Sequence, residues 1–138
     1  MAYNLTITGA ELQALLDFTE TKVETTLFSG DTTGDITLSE SAANFSELVV
    51  YYEGYQTNCP QTMTIYAPNE KRINLAVVED SAGGGTRVRR TAYYISGTSM
   101  AVVAGGSIAA GFTLLNGTEV SQNLTGNVIH VTKVVGRG

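Results

Sequence analysis

The sequence predicts an all-β fold: an antiparallel β-sandwich of about eight strands, jelly-roll-like, with one short N-terminal α-helix. Three observations predict it. The 138 residues are 43% hydrophobic but only 15% charged, and they are rich in Thr, Val, Ile and Tyr, which suit half-buried pleated surfaces. Apolar runs of strand length recur about every ten residues between turn-rich segments, the spacing of sandwiches and barrels. A helix pattern is found near the N-terminus.

The predicted helix begins at a capping box. Thr8 and Glu11 are three residues apart, so the Thr8 hydroxyl can accept from the Glu11 amide while the Glu11 carboxylate accepts from the Thr8 amide. The spacing predicts a helix from about Gly9 to Thr19.

Leu12, Leu15 and Leu16 share one face of that helix. We expect this leucine face to contact the core of the same domain or a neighbouring subunit. The chain is thus divided into an N-terminal helical segment, residues 1–23, and a predicted β-sandwich domain, residues 24–138.

The strongest strand prediction is the continuous β-branched and aromatic run at residues 47–55, which is expected to be buried on both faces. Residues 72–80 and 86–95 flank a glycine-bearing segment and predict a hairpin. The closing strand is predicted within residues 127–136. Further strands are predicted within residues 25–30, 34–39, 62–68, 97–106 and 107–117.

Composition excludes several classes of function. The net charge is −5, and a binder of nucleic acid would need a denser basic face than the short basic stretches of this chain provide. The single cysteine, Cys59, excludes a disulfide within the chain and a multi-cysteine zinc site. We expect no cofactor, no membrane insertion and no secretory signal, hence synthesis in a cytoplasm.

Residues 97–101, Gly-Thr-Ser-Met-Ala, resemble the segment that carries the nucleophilic serine of subtilisin-like proteases. The chain's only histidine, His130, follows Ser99, whereas that family orders its triad Asp, His, Ser. Two β-branched residues and two glycines also follow, where the family has a helix. We expect Ser99 to be an ordinary strand or turn residue and the protein not to be an enzyme; a hydrolase using Ser99 is the third hypothesis.

Metal and phosphate sites are not predicted. Asp31 and Asp35 lie in a turn-rich segment without the glutamate that closes an EF-hand loop. Residues 83–86 lack the lysine of a phosphate-binding loop and favour a turn. His130 is expected to pack within its strand.

Tyrosines and arginines provide the candidate binding residues. Exposed aromatic side chains beside arginines suit a sugar surface, through stacking and bidentate hydrogen bonds. The predicted sugar contacts are Tyr51, Tyr55, Arg87, Arg89 and Tyr94.

Residues 25–55, TTLFSGDTTGDITLSESAANFSELVVYYEGY, resemble the start of the C-terminal β-sandwich or knob domains of bacteriophage tail fibres and related virion fibre proteins. The closing residues 127–138, NVIHVTKVVGRG, are similar to the final strand of those domains. The resemblance implies a virion structural protein on a tail or head fibre, commonly trimeric, that in some members binds host-surface carbohydrate.

The leading hypothesis is therefore a non-enzymatic fibre or fibre-tip protein of a phage virion, made in the bacterial host cytoplasm. It is expected to be a homotrimer that contacts other virion proteins, and the resemblance implies that the helical segment, residues 1–23, is the oligomer contact or an anchor. The alternative is a carbohydrate-binding module that works as a monomer.

Overall fold

The computed structural model confirms an all-β sandwich with a short N-terminal helix. The residues that it describes are 8–20, 23–54, 60–80, 86–104, 109–115, 118–124 and 129–138. Within them the elements are α1 Gly9–Glu20, β1 Glu24–Thr32, β2 Ile36–Thr37, a 3-10 helix Ala42–Asn44, β3 Glu47–Glu53, β4 Gln61–Tyr66, β5 Lys71–Asp80, β6 Thr86–Ser96, β7 Ser99–Val102, β8 Ala109–Leu115, β9 Thr118–Leu124 and β10 His130–Arg137.

The helix α1 begins at the predicted capping box. The Thr8 amide donates to Glu11 Oε2 at 3.0 Å, and the Glu11 amide donates to Thr8 Oγ1 at 3.2 Å. Two of the first four amide donors of the helix are thereby satisfied without tertiary contacts. No helix in the described part of the chain is long and apolar enough to cross a membrane.

Two four-stranded antiparallel sheets form the sandwich. Sheet A has the strand order β1-β10-β3-β4, and sheet B has the order β2-β7-β6-β5. The first strand of the sandwich thus pairs with the last. Strands β8 and β9 form a separate hairpin, and β8 lies beside β6.

The core lies between the sheets and is filled by the inward-facing positions of both. Strand β5 shows the pattern most clearly, because every second residue from Ile73 to Glu79 is buried and the residues between them are exposed. The Tyr52 hydroxyl of sheet A donates to the Ala76 carbonyl oxygen of sheet B at 3.2 Å. The largest fully buried core side chains include Leu38, Leu48, Leu75, Tyr93, Ile95, Met100 and Ile129.

Strand β3 is buried on both faces at its centre, as predicted. Leu48 and Val50 face the core, and Val49 between them is only 4% exposed. Val49 lies opposite Val135 of β10, which is also buried.

Three features differ from the sequence-based expectation. Strand β9 was not predicted, because Thr118–Leu124 carries neither an apolar run nor a strict alternation. Strand β2 is only two residues long. In β10 the register against β3 shifts between Val131 and Lys133, so a bulge interrupts the predicted closing strand.

Tyr93 is fully buried in β6, and its hydroxyl donates to the Gly34 carbonyl oxygen at 3.3 Å. Burial, and secondly the charge of Asp35, raise the pKa of Tyr93 to about 12, from 10.0 in an unperturbed tyrosine. Between these values the unfolded chain has lost the proton that the folded chain still holds. The unfolded state therefore gains stability relative to the native state as the pH rises.

We expect the free energy of unfolding to fall by about 2 kcal/mol between these two pKa values because of Tyr93 alone. The free energy of unfolding of Tyr93→Phe should not show this decrease. The raised pKa of Tyr52 contributes to the pH dependence of both proteins. Urea unfolding of both proteins across the range measures the difference. If the free energy of unfolding fell equally in the two proteins, the decrease would not come from the Tyr93 hydroxyl.

Candidate functional site

The candidate site is a groove between the free edges of the two sheets. Strand β4 is the outermost strand of sheet A, and β5 is the outermost strand of sheet B on the same side. The space between them has a volume of about 440 Å³ and is open to solvent. Its lining residues are Met63, Thr64, Ile65, Tyr66, Lys71, Arg72, Ile73 and Asn74.

The alternation of the two strands gives the groove an apolar floor and polar rims. Ile65 and Ile73 point inward and are buried, and they close the groove toward the core. Their neighbours along the chain point outward. Tyr66 is 69% exposed on one rim, and Arg72 and Asn74 are exposed on the other. Tyr66 and Arg72 thus point away from each other, on the outer faces of the two sheets.

The loop between β4 and β5 is fixed at one end of the groove by Glu70. The Ser96 hydroxyl donates to Glu70 Oε1 at 2.5 Å, and the Tyr94 hydroxyl donates to Glu70 Oε2. These hydrogen bonds, that of Ser96 first, lower the pKa of the Glu70 carboxyl. The carboxylate is thus used to hold the loop against β6, although Glu70 itself has the positive φ of 57° that non-glycine residues seldom adopt.

Two further contacts fix the same loop. The Ala67 amide donates to the Ser46 carbonyl oxygen at 2.8 Å. The Gly97 amide of the β6–β7 turn donates to Asn69 Oδ1 at 2.9 Å. The groove therefore has a preformed end, which reduces the entropy lost when a ligand binds.

Two basic residues, Lys71 and Arg72, are among the lining residues of the groove. Lys71 Nζ donates to the Tyr66 carbonyl oxygen at 2.9 Å and so joins the two strands. Arg72 has no ion pair or hydrogen bond to any side chain within the described residues. None of the lining residues is acidic, but the Glu70 carboxylate lies at one end of the groove, and Arg72 lies beside Tyr94 on the outer face of sheet B.

The structure does not bring the predicted sugar contacts together. Tyr51 is half-buried on the outer face of sheet A, where Lys133 Nζ lies 5.7 Å from its ring centroid. Tyr94 is 41% exposed on the outer face of sheet B and is bound to Glu70. The two tyrosines thus lie on opposite faces of the sandwich. Tyr55 lies outside the described residues.

Arg89 is buried, so the prediction that it contacts a sugar at the surface is wrong. Its Nε lies 2.7 Å from Glu79 Oε2, and both side chains are at most 5% exposed. Arg89 faces inward because it shares the alternating core face of β6 with Thr91 and Tyr93. The backbone of Arg87 pairs in register with Glu79, and the side chain of Arg87 lies outside the described part of the structure.

Glycine at position 54 makes room for the buried ion pair of Glu79 and Arg89. A Cβ atom on Gly54 would overlap Glu79 Oε1 and lie 2.6 Å from Val77 Cγ2. The end of β3 is thus packed directly on the carboxylate. This cluster lies in the interior and serves the fold.

His130 does not pack in the core as expected; it pairs with Asp31. His130 Nδ1 lies 2.8 Å from Asp31 Oδ1, and both side chains are partly exposed. Asp35 Oδ1 accepts from the Val102 amide at 2.8 Å, so the two aspartates of the turn have separate structural partners. Across the described ranges, no group of three or more His, Cys, Asp or Glu side chains is placed to hold a metal ion.

The protease-like segment forms a hairpin turn. Gly97 has a φ of 57° and Ser99 is the first residue of β7, paired with Ser96. A glycine with positive φ at the first position of a two-residue hairpin loop is the expected turn chemistry. Ser99 is thus a strand residue, as predicted.

The leucine face of α1 is exposed where it is described. Leu12 is 52% exposed and Leu15 is 57% exposed. The side chain of Leu16 lies outside the described part.

Fold and site together define the class of the molecule, an all-β sandwich with a solvent-open groove between two sheet edges. No protein-family model matches the chain, and no curated protein matches it.

Proposed function

We propose that the chain is a non-enzymatic structural domain of a bacteriophage virion, a fibre or fibre tip, which assembles as a homotrimer and contacts a host-surface receptor. The sequence resemblance at residues 25–55 and 127–138 supports the proposal. Both segments contribute strands to sheet A, where β1, β10 and β3 are neighbours. The two similar segments thus belong to one continuous part of the fold.

The exposed leucine face of α1 is the main support for the proposed trimer. Leu12 and Leu15 are each more than half exposed on a capped helix of 12 residues. A helix of this length is marginal in water by itself and gains its stability from burying an apolar face. Three copies that pack these faces together around a common axis would bury them.

Light scattering coupled to size exclusion tests the assembly. We expect the wild-type protein to have three times the mass of one chain, and the double change Leu12→Ser with Leu15→Ser to reduce the mass to that of a monomer. Ala14→Ser is the matched control, since Ala14 lies on the opposite side of the helix and is also exposed. A wild-type protein that is monomeric at micromolar concentration would refute the proposed trimer.

The second candidate function is a carbohydrate-binding module that works as a monomer. The groove between β4 and β5 favours it, because these edge strands of the sandwich form the groove without a contribution from α1. A monomeric mass together with sugar binding would select this candidate.

A further inference from the structure

We infer that one corner of the outer face of sheet B binds a neutral sugar, a pyranose without a charged group. The side chains of this corner, which we call the Tyr94 corner, are Glu70, Arg72, Tyr94 and Ser96. The inference names the ligand class for the receptor contact proposed above and rests on that proposal. Three properties of the corner carry it: an exposed aromatic ring, a strained loop that is held in place, and a balance of charge.

The four side chains lie together on one face of one hairpin. Arg72 of β5 is directly opposite Tyr94 of β6 in the strand register. The residue that follows each of them along its strand is buried in the core, so both side chains point outward, and both are exposed. Ser96 is the next outward-facing residue of β6, and Glu70 accepts hydrogen bonds from both Tyr94 and Ser96. One ligand can therefore reach all four side chains.

Tyr94 supplies the aromatic surface. It is 41% exposed, and its hydroxyl donates to Glu70 Oε2. This hydrogen bond fixes the orientation of the ring on the surface of the sheet. The ring therefore loses little conformational entropy when it contacts the apolar face of a sugar.

The loop that carries Glu70 is strained. Ala67 and Glu70 have φ values of 45° and 57°, in the left-handed region that residues other than glycine seldom adopt. Pro68 between them is buried, and Asn69 Oδ1 accepts from the Gly97 amide at 2.9 Å. Strain of this kind persists only where surrounding contacts hold it, and it is typical of segments that clamp a ligand. In this loop the side chain that the strained backbone positions is the Glu70 carboxylate.

The charges of the corner select a neutral ligand. Glu70 is an acid, and Arg72 is a base that forms no ion pair with any residue in the described ranges. The carboxylate can accept from sugar hydroxyls, and the guanidinium can donate to them. An acidic sugar would be repelled by Glu70 and an amino sugar by Arg72. A second copy of the chain fits less well, because its surface would have to desolvate both charges.

Titrations of the ¹⁵N-labelled wild-type protein, followed by NMR, test the inference with matched pairs of sugars. The probes are lactose with sialyllactose, which adds a carboxylate, and N-acetylglucosamine with glucosamine, which carries an ammonium group. We expect the neutral member of at least one pair to bind, with amide shift changes centred on residues 70–72 and 94–96. The charged member should bind about tenfold more weakly.

Variants assign the binding to the side chains. Tyr94→Ala should abolish the binding, and Arg72→Gln and Glu70→Gln should each weaken it about tenfold. Two matched controls should bind as the wild type does. Tyr66→Ala removes an exposed aromatic side chain from the opposite sheet, and Arg90→Gln removes an exposed arginine from the same face of β6.

The shift map of the wild-type protein needs no variant, so it decides the question even if the change at Glu70 disturbs the loop. Shift changes centred elsewhere, equal or stronger binding of the charged sugars, unchanged binding by Tyr94→Ala, or no binding to any probe overturns the inference. In each of these cases a three-fold solution mass leaves the proposed virion assembly standing. A monomeric mass together with shift changes at the Tyr94 corner overturns the trimer and leaves the sugar site.

Discussion

Arg89→Met is expected to lower the free energy of unfolding by about 3–5 kcal/mol, the usual cost of removing one partner from a buried ion pair. The Glu79 carboxylate is only 3% exposed and would lose the guanidinium that now lies 2.7 Å away. It would remain inside the sandwich, where a charge without that compensation is strongly disfavoured. Urea unfolding followed by circular dichroism measures the change.

The double variant Arg89→Met with Glu79→Leu distinguishes the ion pair from simple loss of packing. Since a buried pair can often be replaced by apolar side chains at little cost, we expect the double variant to recover most of the lost stability. Arg90→Met is the surface control and should change stability by less than about 0.5 kcal/mol. Additive losses in the double variant would show that charge burial is not the cause.

Gly54→Ala is expected to destabilise the fold by about 3 kcal/mol, because a single added methyl group cannot be accommodated without moving the buried ion pair. The new Cβ atom would overlap Glu79 Oε1 and approach Val77 Cγ2. Neither group can move freely: Glu79 is held by Arg89, and Val77 belongs to the packed core. The midpoint of urea unfolding reports the effect.

Gly34→Ala is the matched control for this change. A Cβ atom on Gly34 would meet only Thr32 Oγ1, at 3.9 Å, which is ordinary van der Waals contact. We expect the free energy of unfolding of Gly34→Ala to lie within about 0.5 kcal/mol of the wild-type value or slightly above it. If both alanine variants lose the same stability, general glycine effects, and not the overlap with Glu79, explain the result.

The sequence contained enough information for the fold class and for most elements, because local chemistry determines them. The capping box at Thr8 placed the helix, and the glycine-bearing segment between two strand-like runs placed β5 and β6 in one hairpin. The alternation of β5 also bears on the burial of Arg89: Glu79 continues the core face of β5, and a basic residue facing inward from β6 compensates its charge.

The groove could not be predicted from the sequence. Its lining residues belong to the edge strands of different sheets, β4 and β5, and only the short loop between these strands suggests that the two edges are near each other. Which residues face a shared cleft depends on how the two sheets stack, and this is decided by the whole core. The predicted sugar contacts failed to converge for the same reason, since Tyr51 and Tyr94 are outward-facing residues of opposite sheets.

The position of β10 between β1 and β3 has a consequence for synthesis on the ribosome. Glu24 pairs with Arg137, so sheet A closes only after residues 130–137 have left the exit tunnel. Until then the facing edges of β1 and β3 have no partner strand, and such edges can pair with other chains. The hairpins of β5, β6 and β7 need only local contacts and can form earlier. The nascent chain therefore exposes these two edges until β10 joins sheet A.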